Sequence, residues 1–288
     1  MRRLIFFLLV LLFPLLAGAG DNDLFNTANA ANGSPRYTVN KFGRNSDADT
    51  TEDAVYEGSD LGGPIRCFAD VGTTATAFYI SSDDPSDASD GAKPVTVTIE
   101  VLDADWNIIT IEQALGATVG ATGAALTKIG TVDLLRVNRA YVSSANPALG
   151  NIYINADAVD AGPDGIPDNR ATKLVTGIRI GENQTLQACY TVPAGYNAFL
   201  TQLCTSNIAT VANAKATFRL RKSVAGAAAR VQELYEIGNG TYACTTHSPP
   251  VKFSEKTDIS ITSVMSANNG KASGTFDLVL IKNTLSGL

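Results

Sequence analysis

The sequence has one histidine, one tryptophan and few charged side chains. These low counts argue against several classes of enzyme and binding protein. Hydrolytic and acyl-transfer sites usually depend on a histidine that titrates near neutral pH. The one histidine, His247, lies in the turn-like segment 245–250 without a nucleophile motif beside it. We therefore interpret His247 as an exposed loop residue and predict that the protein is not an enzyme.

Sequence motifs that bind nucleotides or nucleic acids are also missing. No G-x-G-x-x-G segment follows a predicted strand and no Walker motif occurs, so the sequence predicts no nucleotide cofactor. The formal net charge of -6 repels phosphate backbones, so nucleic acid is not an expected partner. The basic cluster Arg219, Arg221 and Lys222 lies on an alternating segment. We interpret it as the solvated face of a strand, with an anion site as the alternative.

A hydrophobic run of the length of a membrane span is lacking throughout. Residues 1–20 instead have the three parts of a secretory signal: the positive pair Arg2 and Arg3, an apolar core over 4–16, and the small residues 17–19. A spanning helix needs about 20 apolar residues, and this core is shorter. We predict an exported or virion-borne chain without membrane contact after removal of the signal. An uncleaved anchor is the alternative.

Four cysteines, Cys67, Cys189, Cys204 and Cys244, can form two disulfides with three possible connectivities in an oxidising compartment. Cys189 and Cys204 flank the stretch 190–203, which is typical of a hairpin, so we predict them as the first candidate pair. No C-x-x-C spacing occurs, and with a single histidine the sequence predicts no zinc site. Buried free thiols are the alternative.

Alternation of apolar and polar residues dominates the chain after residue 63. Residues 95–101 alternate Val or Ile with Thr or Glu, which places one apolar face inward and one polar face outward. The segment 111–125 is interpreted as a loop. Short alternating runs broken by Gly, Asn, Asp and Pro predict β-sandwiches. The predicted strands are 75–80, 95–101, 108–111, 134–142, 151–154, 198–203, 216–222, 231–237, 258–264 and 275–281.

The two halves of the sequence resemble each other at an offset of about 122 residues. Residues 66–68 (RCF) match 188–190 (ACY), and 142–146 (VSSAN) match 264–268 (VMSAN). We interpret this as a tandem duplication, with chance similarity in low-complexity β sequence as the alternative. The predicted fold is all-β, with two tandem, similar jelly-roll-like or Ig-like β-sandwich domains preceded by an extended N-terminal arm. The predicted segments are a signal peptide or hydrophobic leader (1–20), the arm (21–60), sandwich one (61–160), a linker (161–173) and sandwich two (174–284).

An acidic stretch in the predicted linker has the spacing of a cation loop. Asp160, Asp164 and Asp168 surround the turn-forming Gly165, and this resembles the calcium loops of thrombospondin type 3 and dockerin repeats. The chain departs from that pattern at Gly162, where those loops carry an acid. Calcium is therefore the one candidate cofactor, and a hydrated linker without a cation is the alternative.

Two stretches resemble a known group of proteins. Segment 40–45 (NKFGRN), followed by 51–58 (TEDAVYEG), is similar to the N-terminal arm of a poorly characterised family of tailed-phage virion-associated proteins, many from marine phages. Segment 190–195 (YTVPAG), leading into 198–201, resembles a strand–turn–strand element of phage decoration and fibre sandwiches, and the likeness covers most of 37–282. The resemblance implies a non-enzymatic structural part of a virion. The predicted signal departs from it, because phage virions assemble in the cytoplasm.

Two main functional hypotheses follow, and a glycan hydrolase that uses paired carboxylates is a third. In the first, the chain is a virion-associated structural or decoration protein whose sandwiches pack against copies of themselves and against other virion or surface proteins, while the arm 21–60 docks on a neighbour. In the second, it is an exported cell-surface adhesin or glycan-binding module that uses the sandwich-end loop 83–91. Both place the protein in a virion or at an extracellular surface.

Overall fold

The computed structural model describes residues 36–64, 66–68, 72–120 and 122–285, and in these ranges the regular structure is almost entirely antiparallel sheet. The all-β prediction is confirmed. The predicted signal 1–20 and residues 21–35 of the predicted arm lie outside the described residues. The strands are β1 (Arg36–Ala48), β2 (Asp53–Ala54), β3 (Tyr79–Ser82), β4 (Thr96–Asp103), β5 (Ile108–Ala114), β6 (Thr118–Val119), β7 (Gly123–Lys128), β8 (Leu134–Val142), β9 (Ile152–Asn155), β10 (Leu174–Ile178), β11 (Cys189–Thr191), β12 (Tyr196–Ile208), β13 (Lys215–Val224), β14 (Arg230–Gly238), β15 (Tyr242–Phe253), β16 (Thr257–Met265) and β17 (Gly270–Lys282).

Helical structure in the described residues is limited to short turns. A four-residue helix, α1 (Arg170–Lys173), precedes β10, and 3-10 turns cover Ser59–Leu61, Pro85–Asp87 and Asn283–Leu285. Among the described residues, no helix has both the length and the apolar character needed to cross a membrane.

Two sheets form the first β-sandwich. One has the strand order β10-β9-β3-β7-β6 and the other the order β5-β4-β8. Val95, Val97, Ile99 and Val101 are fully buried, as their alternation predicts, and they pack with residues of β3, β8 and β9 in one apolar core. The prediction of an outward polar face is wrong, because Thr98 and Glu100 are only 9% and 6% exposed and β4 is buried on both faces.

The second β-sandwich is built from two longer sheets. One has the order β1-β17-β12-β15, and the other the order β11-β16-β13-β14, with β2 also pairing with β16. Phe218, Leu220, Ile261 and Phe276 are buried in its core. Leu102 and Leu135 of the first half belong to the same apolar cluster, so the two sandwiches share packed surface.

Strand order is the same in the two halves. In chain order, β3, β4, β5, β7, β8 and β9 correspond to β12, β13, β14, β15, β16 and β17. The sheet segment β9-β3-β7 matches β17-β12-β15, and β5-β4-β8 matches β14-β13-β16. The similarity that the sequence predicts is thus present in the topology of both sheets.

Residues 36–48, which were expected to belong to an extended arm, form β1 and pair along their length with β17 of the same chain. The strand was missed because several of its inward positions are not apolar. Lys41, Gly43 and Asn45 all point inward, between Val39 and Ala48. Alternation is therefore present in the burial of β1 and absent from its hydrophobicity.

The prediction of a loop over 111–125 is wrong in part. β5 continues to Ala114, and β6 and β7 begin at Thr118 and Gly123. The segment is rich in Ala, Gly and Thr, so it lacks the bulky β-branched residues on which the strand prediction depends.

Candidate functional site

A buried ion pair lies where the two sandwiches meet. Arg136 of β8 donates from Nε to Oδ1 of Asp258 (3.1 Å) and from Nη2 to Oδ2 (3.0 Å). Only 2% of the Arg136 side chain and 11% of the Asp258 side chain are exposed. The guanidinium also stacks on the rings of Phe68 and Trp106. This two-bond geometry fixes the relative position of β8 and β16.

A second polar contact at this junction is made by Lys41, whose Nζ donates to the backbone oxygen of Asn138 at 2.5 Å. Burial lowers the pKa of Lys41 to about 7, the charge of Glu100 acts in the opposite direction, and that of Arg139 lowers the pKa further. A lysine with this pKa is partly neutral at physiological pH, so its protonation is coupled to the packing of β1 against β8.

The side-chain amide of Asn138 completes the junction. It donates to the oxygen of Thr191 (3.0 Å) and accepts from the Thr191 N–H (2.9 Å), much as a neighbouring strand would. Gln187 donates to the oxygens of Val137 and Asn138. Because these buried groups have specific partners, the junction fixes one arrangement of the two halves.

The disulfides differ from the predicted pair. Cys189 and Cys204 are both in disulfides, but Cys189 is bonded to Cys67 and Cys204 to Cys244. The prediction of a Cys189–Cys204 bond is wrong because the stretch between them is not a closed hairpin. Cys189 lies on β11 in one sheet of the sandwich, and Cys204 lies on β12 in the other.

His247 also differs from its interpretation as an exposed loop residue. It lies on β15, 10% of its side chain is exposed, and its Nε2 is 3.4 Å from Oε1 of Glu233 on β14. The pairing register between β12 and β15 shifts next to His247, so residues 247–250 bulge from the ladder. Pro249 and Pro250 made the segment look like a turn, and they are tolerated here because β15 is an edge strand.

The basic cluster on β13 is paired within the protein. Arg221 donates from Nε and Nη2 to the two carboxylate oxygens of Glu52, both at 2.6 Å, and Arg219 lies 3.7 Å from the same carboxylate. Thr262 also donates to Glu52. The cluster therefore ties the segment before β2 to the second sandwich, and its arginines are not a freely solvated face.

The three carboxylates predicted to bind calcium are used by the loop itself. Asp160 accepts from the N–H groups of Asp164 and Gly165, Asp164 accepts from Ile166, and Asp168 accepts from Ala161. In the part of the chain that the structure describes, no three acidic, histidine or cysteine side chains converge as a metal cluster. Calcium binding stays a prediction. A thermal unfolding midpoint that is higher with calcium than with chelator would support it. Equal midpoints would show that the hydrogen bonds of these three carboxylates order the loop without a cation.

The acidic loop 83–91, considered for glycan binding, is likewise occupied with internal contacts. Asp83 accepts from the backbone and side-chain nitrogens of Asn151 and from the Tyr153 hydroxyl. Asp87 is fully buried and accepts from Leu149 and Gly150. These carboxylates hold the end of the first sandwich together, so their presence does not favour a sugar site.

Three exposed apolar side chains of the second sandwich lie on two of its terminal strands. β14 ends one sheet and β15 ends the other. Val231 and Leu234 of β14 are 46% and 54% exposed, and Tyr242 of β15 is 77% exposed. Leu234 lies opposite Arg219 on the outer face of one sheet, and Tyr242 lies opposite Ser206 on the outer face of the other, so these side chains flank the sandwich edge from both sides. We call the outer backbone edge of residues 242–248, together with the flanking side chains of Val231, Leu234 and Tyr242, the edge surface. Sequence reasoning missed it because β15 was not predicted as a strand.

Residues 242–248 carry no Asp, Glu, Lys or Arg. Edge strands of monomeric proteins are usually protected by charged side chains, prolines or bulges, because open N–H and C=O groups pair with other strands. Here the prolines and the bulge protect only the far end of β15. The Cys204–Cys244 disulfide joins the open end to β12, so this edge is held in place.

Comparisons with known proteins do not assign the chain to a family. The sequence matches no protein-family model and no curated protein. A chain of the cowpea mosaic virus top component, a naturally occurring empty particle, is 10% identical over 71% of this chain and 82% of its own length, with a TM-score of 0.20. A chain of infectious bursal disease virus Gx strain is 8% identical over 87% and 72%, with a TM-score of 0.21. Similarity at these scores is distant and carries no functional argument.

Proposed function

We propose that this chain is a non-enzymatic structural subunit of a virion or an extracellular surface, and that it works by assembling with copies of itself. The observation that carries the proposal is the edge surface, where an uncharged strand edge lies in the same sandwich as the exposed side chains of Val231, Leu234 and Tyr242.

A second copy of the chain is the partner that suits this surface best. Two identical antiparallel edges pair across a two-fold axis, and each then satisfies the open N–H and C=O groups of the other. The edge is already anchored by the Cys204–Cys244 bond, so little conformational entropy is lost when it pairs. Two disulfides are typical of an oxidising location, which supports a virion or extracellular setting.

The finer assignment to a tailed-phage virion or decoration protein rests on the sequence resemblance of segments 40–45 and 190–195. It stays a prediction. Residues 36–48 of the segment expected to dock on a neighbour pair within the chain instead, so assembly is assigned to the edge surface and not to that segment.

Sedimentation velocity across a range of concentrations tests the proposal. The natural chain is expected to form dimers or larger species as concentration rises. The double variant Leu234→Lys/Tyr242→Lys is expected to stay monomeric, because it places charge on both edge strands. The control is Val132→Lys/Val159→Lys, which changes two exposed apolar residues of the first half (46% and 45% exposed) and should assemble as the natural chain does. A natural chain that is monomeric at every concentration would contradict the proposal.

A further inference from the structure

The two halves are joined by contacts between residues that occupy the same place in each half. Cys67 is bonded to Cys189, and the two are 122 positions apart. Arg136 pairs with Asp258, which is also 122 positions away. This separation is the offset at which the two halves of the sequence match. In a symmetric dimer, a residue that contacts its own equivalent lies at the two-fold axis.

The first strand of each half pairs with the last strand of the other half. β1 precedes the first sandwich and pairs antiparallel with β17, which ends the second. β10 precedes the core strands of the second sandwich and pairs antiparallel with β9, which ends the first. The exchange of leading strands is therefore reciprocal.

The residues that follow each leading strand cross over in the same way. Ala54, after β1, pairs with Thr262 on β16 of the second half. Thr185, after β10, donates its N–H to Ala140 on β8 of the first half at 2.9 Å. Ala140 and Thr262 are equivalent at the same offset that relates Cys67 to Cys189. Two separate crossings therefore occur in each direction, and their partners on β8 and β16 are equivalent.

We propose that the junction is a self-complementary dimer interface enclosed within a single chain. Its two units are residues 36–155 and residues 174–282. They are related by a local two-fold axis, and each gives its leading strand to the other. The partner that this surface fits is a second copy of the same unit. Strand exchange of this kind is a common route to homodimers, and residues 156–173 are the covalent link that joins the two units here.

This arrangement differs measurably from two tandem sandwiches that merely pack side by side. Opening the chain at exposed Gly162 leaves β10 attached to the second unit, where it still holds the first unit through β9. Opening it at exposed Gly181, after β10, leaves β10 attached to the first unit, and that connection is lost. The two cut proteins contain the same residues and differ only in whether β10 is an exchanged strand.

The test uses the full chain with a site-specific protease sequence inserted at Gly162 or at Gly181. Each protein is cut after folding, and reductant is added to open the Cys67–Cys189 bond between the units. The Cys204–Cys244 bond lies within one unit and does not bridge the cut. Separation of the two fragments is followed by size-exclusion chromatography and by its rate in urea.

The protein cut at Gly162 is expected to stay a single particle in size-exclusion chromatography. In urea its fragments should separate at least about tenfold more slowly than those of the protein cut at Gly181, because the β9–β10 ladder must be broken first. Equal rates, or slower separation of the protein cut at Gly181, would overturn the exchange. An experimental structure gives a second reading that needs no cutting. The rotation that superposes the two units should be close to a half turn, and a clearly different rotation would overturn the two-fold relation.

Discussion

Arg136 and Asp258 carry opposite charges that are removed from water together, so the loss of one partner leaves the other charge buried. We expect Arg136→Met to lower the free energy of unfolding by about 3–5 kcal/mol. The double variant Arg136→Met/Asp258→Leu should recover much of that loss, because it leaves neither charge behind. Urea denaturation of the three proteins measures this.

The matched control for the buried pair is the exposed pair Lys128–Asp133, whose side chains are 40% and 54% exposed. Lys128→Met should change stability by less than about 1 kcal/mol, because water screens this pair. A loss at Arg136 that is no larger than the loss at Lys128 would show that the junction does not depend on the ion pair.

The lowered pKa of Lys41 predicts a pH dependence of stability. The pKa is about 7 in the folded protein and 10.5 ordinarily, so the unfolded chain binds more protons between these values. Stability should therefore rise with pH above about 7, by up to about 1.4 kcal/mol per pH unit from this group. At lower pH both states are protonated, and the cost of burying the charge is present in full.

Denaturant unfolding of the natural chain and of Lys41→Met, compared from pH 6 to about 9.5 and below the range of tyrosine titration, checks this. As pH rises, the unfolding free energy of the natural chain should increase relative to that of Lys41→Met. Lys128→Met at an exposed site is the control and should show no such trend. A pH-independent difference for Lys41→Met would contradict the account.

At the scale of the strand, β1 depends on a close approach that only glycine allows. A Cβ at Gly43 would lie 2.1 Å from the oxygen of Val55 and 2.2 Å from the nitrogen of Ala188, and neither backbone atom can move cheaply. We expect Gly43→Ala to destabilise the protein by about 2–3 kcal/mol, as overpacking does. Equilibrium denaturation measures the loss.

Gly238→Ala on β14 is the matched control, since the nearest atom to its Cβ would be 3.9 Å away. This change should be within about 0.5 kcal/mol of the natural chain. If the two alanine variants were equally stable, β1 would not be seated against residues 55 and 188 as described.

The strands that could be predicted from the sequence are those whose inward positions are apolar. The bounds 134–142 were predicted as the structure has them in β8, and 95–101 lie almost entirely in β4. β1 and β15 could not be predicted in this way. β1 buries Lys41 and Asn45 at a polar junction, and β15 is a largely exposed edge with two prolines.

The candidate sites were harder to predict, because they depend on pairing between distant segments. The sequence offered Cys189 and Cys204 as neighbours, whereas the sandwich places them in different sheets. Arg136 and Asp258 gave no local signal. The duplication offset was the one usable clue, because it also separates Arg136 from Asp258 and Cys67 from Cys189.

At the scale of the whole molecule, the junction and the edge surface have different roles. The junction is closed by a disulfide, a buried ion pair and paired strands, so it holds the two sandwiches together as a single body. The edge surface has open backbone groups and exposed apolar side chains, so it is where further copies of the chain would add. A rigid unit with an open edge is suited to assembly.

Hydrogen exchange of the natural chain, read by mass spectrometry at low and high protein concentration, tests the proposed assembly most directly. Protection should rise with concentration over β14 and β15, residues 230–253, while β9, β10 and the junction stay equally protected throughout. Exchange that is independent of concentration, or new protection confined to the first sandwich, would rule out assembly through the edge surface.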